Sequence, residues 1–184
     1  MRILPILLLA SMAHAATLRY WVEPCEREET GCHASDSELA QWALEAWQTA
    51  TGGKLNFERA AEVGKAQIRI YWAGGNSGLY GEARPIVVEG IRGAEVYVLP
   101  PANTPSDPLL RETIVYLTCL HETGHALGLA HTAAFADIMY SFQFGGDIPE
   151  YFGRYRRQLS ARQDIRKHSG MSEDDRKRIN QLYH

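Results

Sequence analysis

The segment from His121 to His131 decides what chemistry this chain can do. His121, Glu122, His125, Gly128 and His131 stand in the pattern His-Glu-x-x-His-x-x-Gly-x-x-His. Residues four apart on a helix lie about 40° from one another around its axis, so His121 and His125 face one point from successive turns. Gly128 supplies a left-handed conformation that ends the helix and swings the chain round, which brings His131 to the same point. Three neutral imidazoles leave one tetrahedral position of a zinc ion open for water, the arrangement of a catalytic rather than a structural ion. Zinc lowers the pKa of such a water to about 7, and Glu122, one residue after a ligand, is placed to take the proton. The bland alternative is a set of unrelated histidines on an amphipathic helix. At ordinary residue frequencies the five fixed positions arise by chance in a chain of this length with a probability on the order of 10⁻⁵, which sets that alternative aside.

The whole chain bounds the setting of this segment. Its 184 residues, 45% hydrophobic and 22% charged, fit one ordinary globular domain. A net charge of -3 argues against a nucleic-acid partner. Arg2, the apolar run from Ile3 to Ala10 and Ala13-His14-Ala15 form the three-part pattern of a secretory signal peptide over residues 1–15, cleaved after Ala15. The run is too short to span a bilayer, so no stable membrane insertion is expected, and the mature domain covers 16–184. Export, to the medium or a periplasm, allows Cys25 and Cys32 to pair, which leaves Cys119 as a buried, inert thiol. The expected state is a monomer.

Several elements must position the histidines. Leu18 to Val22 reads as a strand. Ser35 and Glu38 form a capping-box pattern ahead of Leu39, Trp42, Ala43, Ala46, Trp47 and Ala50 at helical spacing, with Gly52-Gly53 as the stop. Leu55 to Phe57 follows, then Ala66 to Trp72, where Ile68, Ile70 and Trp72 alternate with polar or amphipathic residues. Gly78 to Val88 and Ala94 to Leu99 read as two more strands, and Pro100 to Pro108 as a loop. The long helix is expected from Leu109 through His125, residues 141 to 170 as irregular and Arg-rich, and a last helix from Ser172. The order predicts an α+β fold: a twisted mixed sheet, a long active-site helix and a C-terminal helix.

At these residues the sequence resembles the metzincin zinc peptidases, with Met139 standing where their Met-turn does. Thr132 and Tyr140 are similar to matrixins, whereas astacins and serralysins place a tyrosine ligand where this chain has Ser141. Ala43 to Trp47, Leu55 to Phe57 and Ile68 to Trp72 resemble the first helix and strands of a matrixin catalytic domain, and Met171-Ser172-Glu173-Asp174-Asp175 through Leu182-Tyr183 resembles its last helix. The resemblance implies a zincin-like fold and a secreted endopeptidase with one catalytic zinc on His121, His125 and His131. It further implies Glu122 as general base, a peptide or protein substrate, and Asp175 as a brace for the Met-turn backbone. No Pro-Arg-Cys-Gly type cysteine switch is present, and the loop from Trp72 to Gly78 has no histidine for a second, structural zinc. Ser141-Phe142-Gln143 stands where the family has Pro-x-Tyr, so the shape of the main pocket does not transfer.

By the same likeness, substrate would lie as an added strand along Gly78 to Glu82, with Leu79, Tyr80, Leu117 and Tyr140 as contacts. The glycines there serve equally well as plain turn chemistry, and Leu117 serves equally well as core. Arg154, Arg156, Arg157, Arg162, Arg166 and Lys167 form either a solvated helical face, the better reading, or a lid for acidic substrates. A zinc-binding adhesion or interaction protein without turnover is the alternative function, and it leaves Glu122 without a purpose.

Overall fold

The computed structural model describes residues 15–75, 80–101 and 106–184. Five strands form one sheet: β1 (Ala16–Val22), β2 (Leu55–Arg59), β3 (Ile68–Trp72), β4 (Gly81–Val88) and β5 (Ile91–Val98). Their order is β2-β1-β3-β5-β4, parallel except for β4, which is antiparallel to β5 and forms one edge. Parallel neighbours need crossovers. The first is α1 (Asp36–Ala50), between β1 and β2; α2 (Pro108–Ala126), which carries His121 and His125, follows β5. Period-two alternation sends Leu18, Tyr20, Ile68, Ile70, Val96 and Val98 into one core with Leu39, Trp47 and Leu120 of these helices.

The expected strand beginning at Ala94 begins earlier, at Ile91. Glu89 and Gly90 form a two-residue hairpin turn with φ of 52° and 79°, and such a turn pairs its flanking residues at once. The capping box at Ser35 does not form: Ser35 has helical backbone angles and its side chain caps nothing. Asp36 is instead drawn into the interior, where its carboxylate accepts from Arg111 Nη1 and Nη2 at 2.8 and 2.7 Å and from the His33 N–H at 2.9 Å. That buried pair ties the start of α1 to the first turns of α2, and removal of either partner would strand a charge out of water. α2 itself starts on Asp107, which accepts from the Leu109 and Leu110 N–H groups ahead of a Pro108 that needs no bond of its own.

Residues 141–170 are more ordered than their composition suggests. A 3₁₀ turn covers Phe142–Phe144, α3 covers Ile148–Arg156, and a second 3₁₀ turn covers Arg162–Arg166. Asp147 caps α3 by accepting from the Glu150 N–H at 2.9 Å, with a proline in the first turn. The basic residues are mostly engaged: Arg156 pairs with Asp107, Arg157 with Glu150, Arg166 with Glu45, and Arg162 with Glu112 and Glu38 while its guanidinium covers Trp42. These contacts strap the segment to α1 and α2, the helical-face reading rather than an open cationic lid. α4 (Glu173–Leu182) closes the chain with a capping box between Ser172 and Asp175. Cys25 and Cys32 form a disulfide, and Cys119 is a buried free thiol whose pKa burial raises. No helix among the described residues is long and apolar enough to cross a membrane. The expected signal peptide falls almost wholly on residues 1–14, outside those described.

Candidate metal centre

α2 delivers His121 and His125 from successive turns and then stops at Leu127, with Gly128 at φ 100° and the Leu129 N–H bonded back to Gly124 O at 3.0 Å. That turn brings His131 across the helix end. Its Nε2 lies 3.1 Å from Nε2 of His121 and 3.0 Å from Nε2 of His125. Among the described residues, the three histidines are the one cluster of three or more His, Cys, Asp or Glu side chains close enough to share an ion.

The outer nitrogens settle what the inner ones can do. Nδ1 of His121 lies 2.6 Å from Ile138 O, and Nδ1 of His125 lies 2.8 Å from Leu129 O. A carbonyl oxygen only accepts, so both rings carry a proton on Nδ1 and, when neutral, present a bare Nε2 lone pair to His131. One N–H on His131 cannot point at both. A shared cation satisfies all three lone pairs, whereas protons leave at least one unmatched, so the donor set fits zinc chemically. Burial favours the neutral form, pushing the pKa of His121 down to about 4 and that of His131 downward.

Glu122 points into the same cleft and is only 7% exposed. Burial pushes its carboxyl up to about 8, with the charge of Glu82 a lesser cause. The edge strand passes close above it: a Cβ added at Gly81 would meet Glu122 Cγ at 2.7 Å and Thr118 Cγ2 at 2.9 Å. A side chain at position 81 would have to displace Glu122 or Thr118, a constraint that belongs to the crossing of β4 over α2 rather than to a turn.

Behind the histidines, Met139 is fully buried, and a Cβ on Gly124 would come within 2.5 Å of its Sδ. Trp47 completes the floor, its Nε1–H donating to Leu120 O at 3.0 Å and to Thr123 Oγ1 at 3.1 Å. The chain returns from Met139 alongside Thr132, whose N–H donates to Met139 O at 2.9 Å. Asp175 accepts from the Ile138 N–H at 2.7 Å and pairs with Arg178. Sequence reasoning missed three further supports of this turn. Asp137 accepts from Ser172 Oγ and pairs with Arg178, and Tyr151 Oη donates to the Asp137 and Ile138 carbonyls, each at 3.1 Å. Only the acidic start of α4 carried any signal of this; α3, which holds Tyr151, was not foreseen.

The cleft has a volume of about 1010 Å³ and runs along β4 past the three histidines. Tyr80, Leu117 and Tyr140 all line it. Tyr80 packs on Phe142 and Phe152, Tyr140 is mostly buried with its Oη donating to Gly145 O at 2.8 Å, and Leu117 is 3% exposed, part of both the core and the cleft wall. Leu79 and Gly78 lie outside the described residues.

No family model matches the chain, and no curated protein matches it. Among solved structures, the protein is similar to an archaemetzincin from Methanopyrus kandleri, with 15% sequence identity and a TM-score of 0.48 over 95% of this chain and 98% of that one.

Proposed function

We propose that this protein is a zinc-dependent endopeptidase of the metzincin type, matrixin-like in the residues around its third histidine, and that it acts after export. The observation that carries the reading is the convergence of three imidazole Nε2 atoms beside a buried carboxylate, in a cleft that follows a free strand edge. His121, His125 and His131 would hold one zinc ion, which when bound acidifies water and polarises a carbonyl. The Nδ1–H bonds to Ile138 O and Leu129 O fix the ring orientations and keep the inner nitrogens available. Glu122 takes a proton from the attacking water and returns it to the leaving amine, a task that its place in the cleft, one residue after His121, suits. The cleft walls of Tyr80, Leu117 and Tyr140 exclude water from one side of the reacting bond.

A purely structural or adhesive zinc site has no use for a buried carboxylate beside an open ligand position. Incubation of the exported protein with a mixed peptide library, with and without a chelator, tests the reading. Cleavage that the chelator abolishes and added zinc restores is the expected result. One zinc per chain should accompany it; metal binding without any cleavage would favour the adhesion alternative.

A further inference from the structure

The hydrogen-bonding phase of β4 can be worked out from its neighbours. Tyr80 O accepts from the Leu99 N–H at 2.8 Å, and the register carries this pairing on from Gly81 opposite Val98 to Val88 opposite Ile91. Antiparallel pairs alternate between hydrogen-bonded and non-hydrogen-bonded, so Glu82, Arg84, Ile86 and Val88 turn their main-chain groups toward β5. Gly81, Ala83, Pro85 and Val87 turn theirs away. β5 obeys the same phase on its other side, where the Ala94 N–H donates to Gln67 O at 2.9 Å and Val98 O accepts from Ala73 N at 2.8 Å.

Among the described residues β4 is the last strand of the sheet, and its outward groups face no further strand there. Gly81 lies against Glu122, and Ala83 and Pro85 continue the wall of the same cleft. Gly81 and Ala83 each offer an N–H and a carbonyl. Pro85 offers a carbonyl alone. The outward position is the one place in an antiparallel edge where proline costs the sheet nothing, but it interrupts whatever pairs from outside.

We propose that Pro85 sets how far a bound peptide pairs with this edge: an extended peptide is held through Gly81 and Ala83 and loses main-chain pairing at residue 85. The lining of the cleft also includes Arg92, Ala126, Leu127 and Leu182, so further residues of the peptide meet side chains rather than a continued main-chain ladder. The inference rests on the peptidase reading for the nature of the ligand, while the pairing phase stands on the sheet alone. A proline at an edge also guards against self-pairing of sheets, and the experiment separates the two roles.

The test measures binding without turnover. Zinc-loaded Glu122→Gln protein and the Glu122→Gln/Pro85→Ala double variant are titrated, by fluorescence anisotropy, with labelled alanine–leucine peptides lengthened one residue at a time from either end. In the single variant, lengthening in one direction should soon cease to raise affinity. In the double variant the longer members of that series should gain roughly 2- to 10-fold, as one recovered main-chain hydrogen bond provides, with the other series unchanged. An identical length dependence in both proteins, or no binding by any peptide, overturns the proposal. So does self-association of the Pro85→Ala protein with unchanged peptide affinity, which assigns the proline to guarding the edge. Should Glu122→Gln fail to fold, KM for the same peptides with and without Pro85→Ala gives the comparison. Failure of the peptidase reading is distinguishable, because it shows as absence of cleavage by the unaltered chain whatever these affinities are.

Discussion

Asp175, on the last helix, accepts a hydrogen bond from the Ile138 N–H at 2.7 Å, and the carbonyl of the same Ile138 receives Nδ1 of His121 at 2.6 Å. One peptide unit removed from each other, these bonds connect the C-terminal helix to His121, the first of the three clustered histidines. Asp175→Asn should therefore weaken zinc binding, by the roughly 10- to 100-fold typical of losing an outer support of a ligand, and should also destabilise the fold because Arg178 loses part of its charge partnership. Competition with a chromogenic chelator measures the first effect and thermal unfolding the second. Unchanged affinity in the variant would show that the brace does not reach the ligand.

Glu122→Gln should abolish peptide cleavage, by at least the ~10²–10⁴-fold that general acid–base catalysis supplies, and should leave zinc binding and fold nearly intact. His125→Ala should lose zinc and activity together, since two imidazoles do not complete the site. Metal analysis beside single-turnover cleavage distinguishes them. A Gln variant that cleaved at close to the original rate would remove Glu122 from the mechanism.

In chelator-stripped protein Glu122 makes stability depend on pH. Burial raises its folded pKa to about 8, above that of an unfolded glutamate, so the folded state holds the extra proton. The resulting stabilisation is complete below the unfolded pKa and is lost as pH rises through about 8. The histidines whose pKa burial lowers give an opposing slope around their unfolded value of about 6.5, so the contribution of Glu122 is read as the difference between the unaltered protein and Glu122→Gln, at most about 1.4 kcal/mol per pH unit up to about pH 8. Glu122→Gln should remove that contribution. Urea titrations of both proteins at a series of pH values check it, and parallel slopes would place the carboxyl in water.

Gly124→Ala should destabilise the protein even though alanine is the better helix former. The gain in helix propensity is about 1 kcal/mol, whereas overpacking a filled site costs about 1–3 kcal/mol, and here the added methyl would meet both Met139 Sδ at 2.5 Å and Trp47 Cζ2 at 3.0 Å. Thermal unfolding decides the sign; a more stable variant would mean that Met139 repacks freely.

The convergence of His121, His125 and His131 was legible because their spacing is a property of a single helix and its terminating glycine, and local geometry needs no knowledge of the rest of the chain. The alternation in Ile68, Ile70 and Trp72 was legible for the same reason. What stayed hidden was set by tertiary contact. Asp36 was hidden behind Ser35 because its partner, Arg111, is distant in sequence. The close approach of Gly81 to Glu122 was hidden because the two lie on different elements, and the sequence left turn chemistry and a substrate edge equally open there. The basic composition of 141–170 masked a helix whose buried residues, Tyr151, Phe152 and Tyr155, appear as a stripe only once its start at Asp147 is known.

Tyr151 carries a consequence for redesign. Its ring stacks with the cleft-lining Tyr140, and its Oη holds the carbonyl that fixes His121. The segment that shapes the cleft is thus not an interchangeable cassette. A chimera that imported another segment in place of residues 141–170 to alter selectivity would also detune the metal, unless the graft brought a hydroxyl back to the same carbonyls.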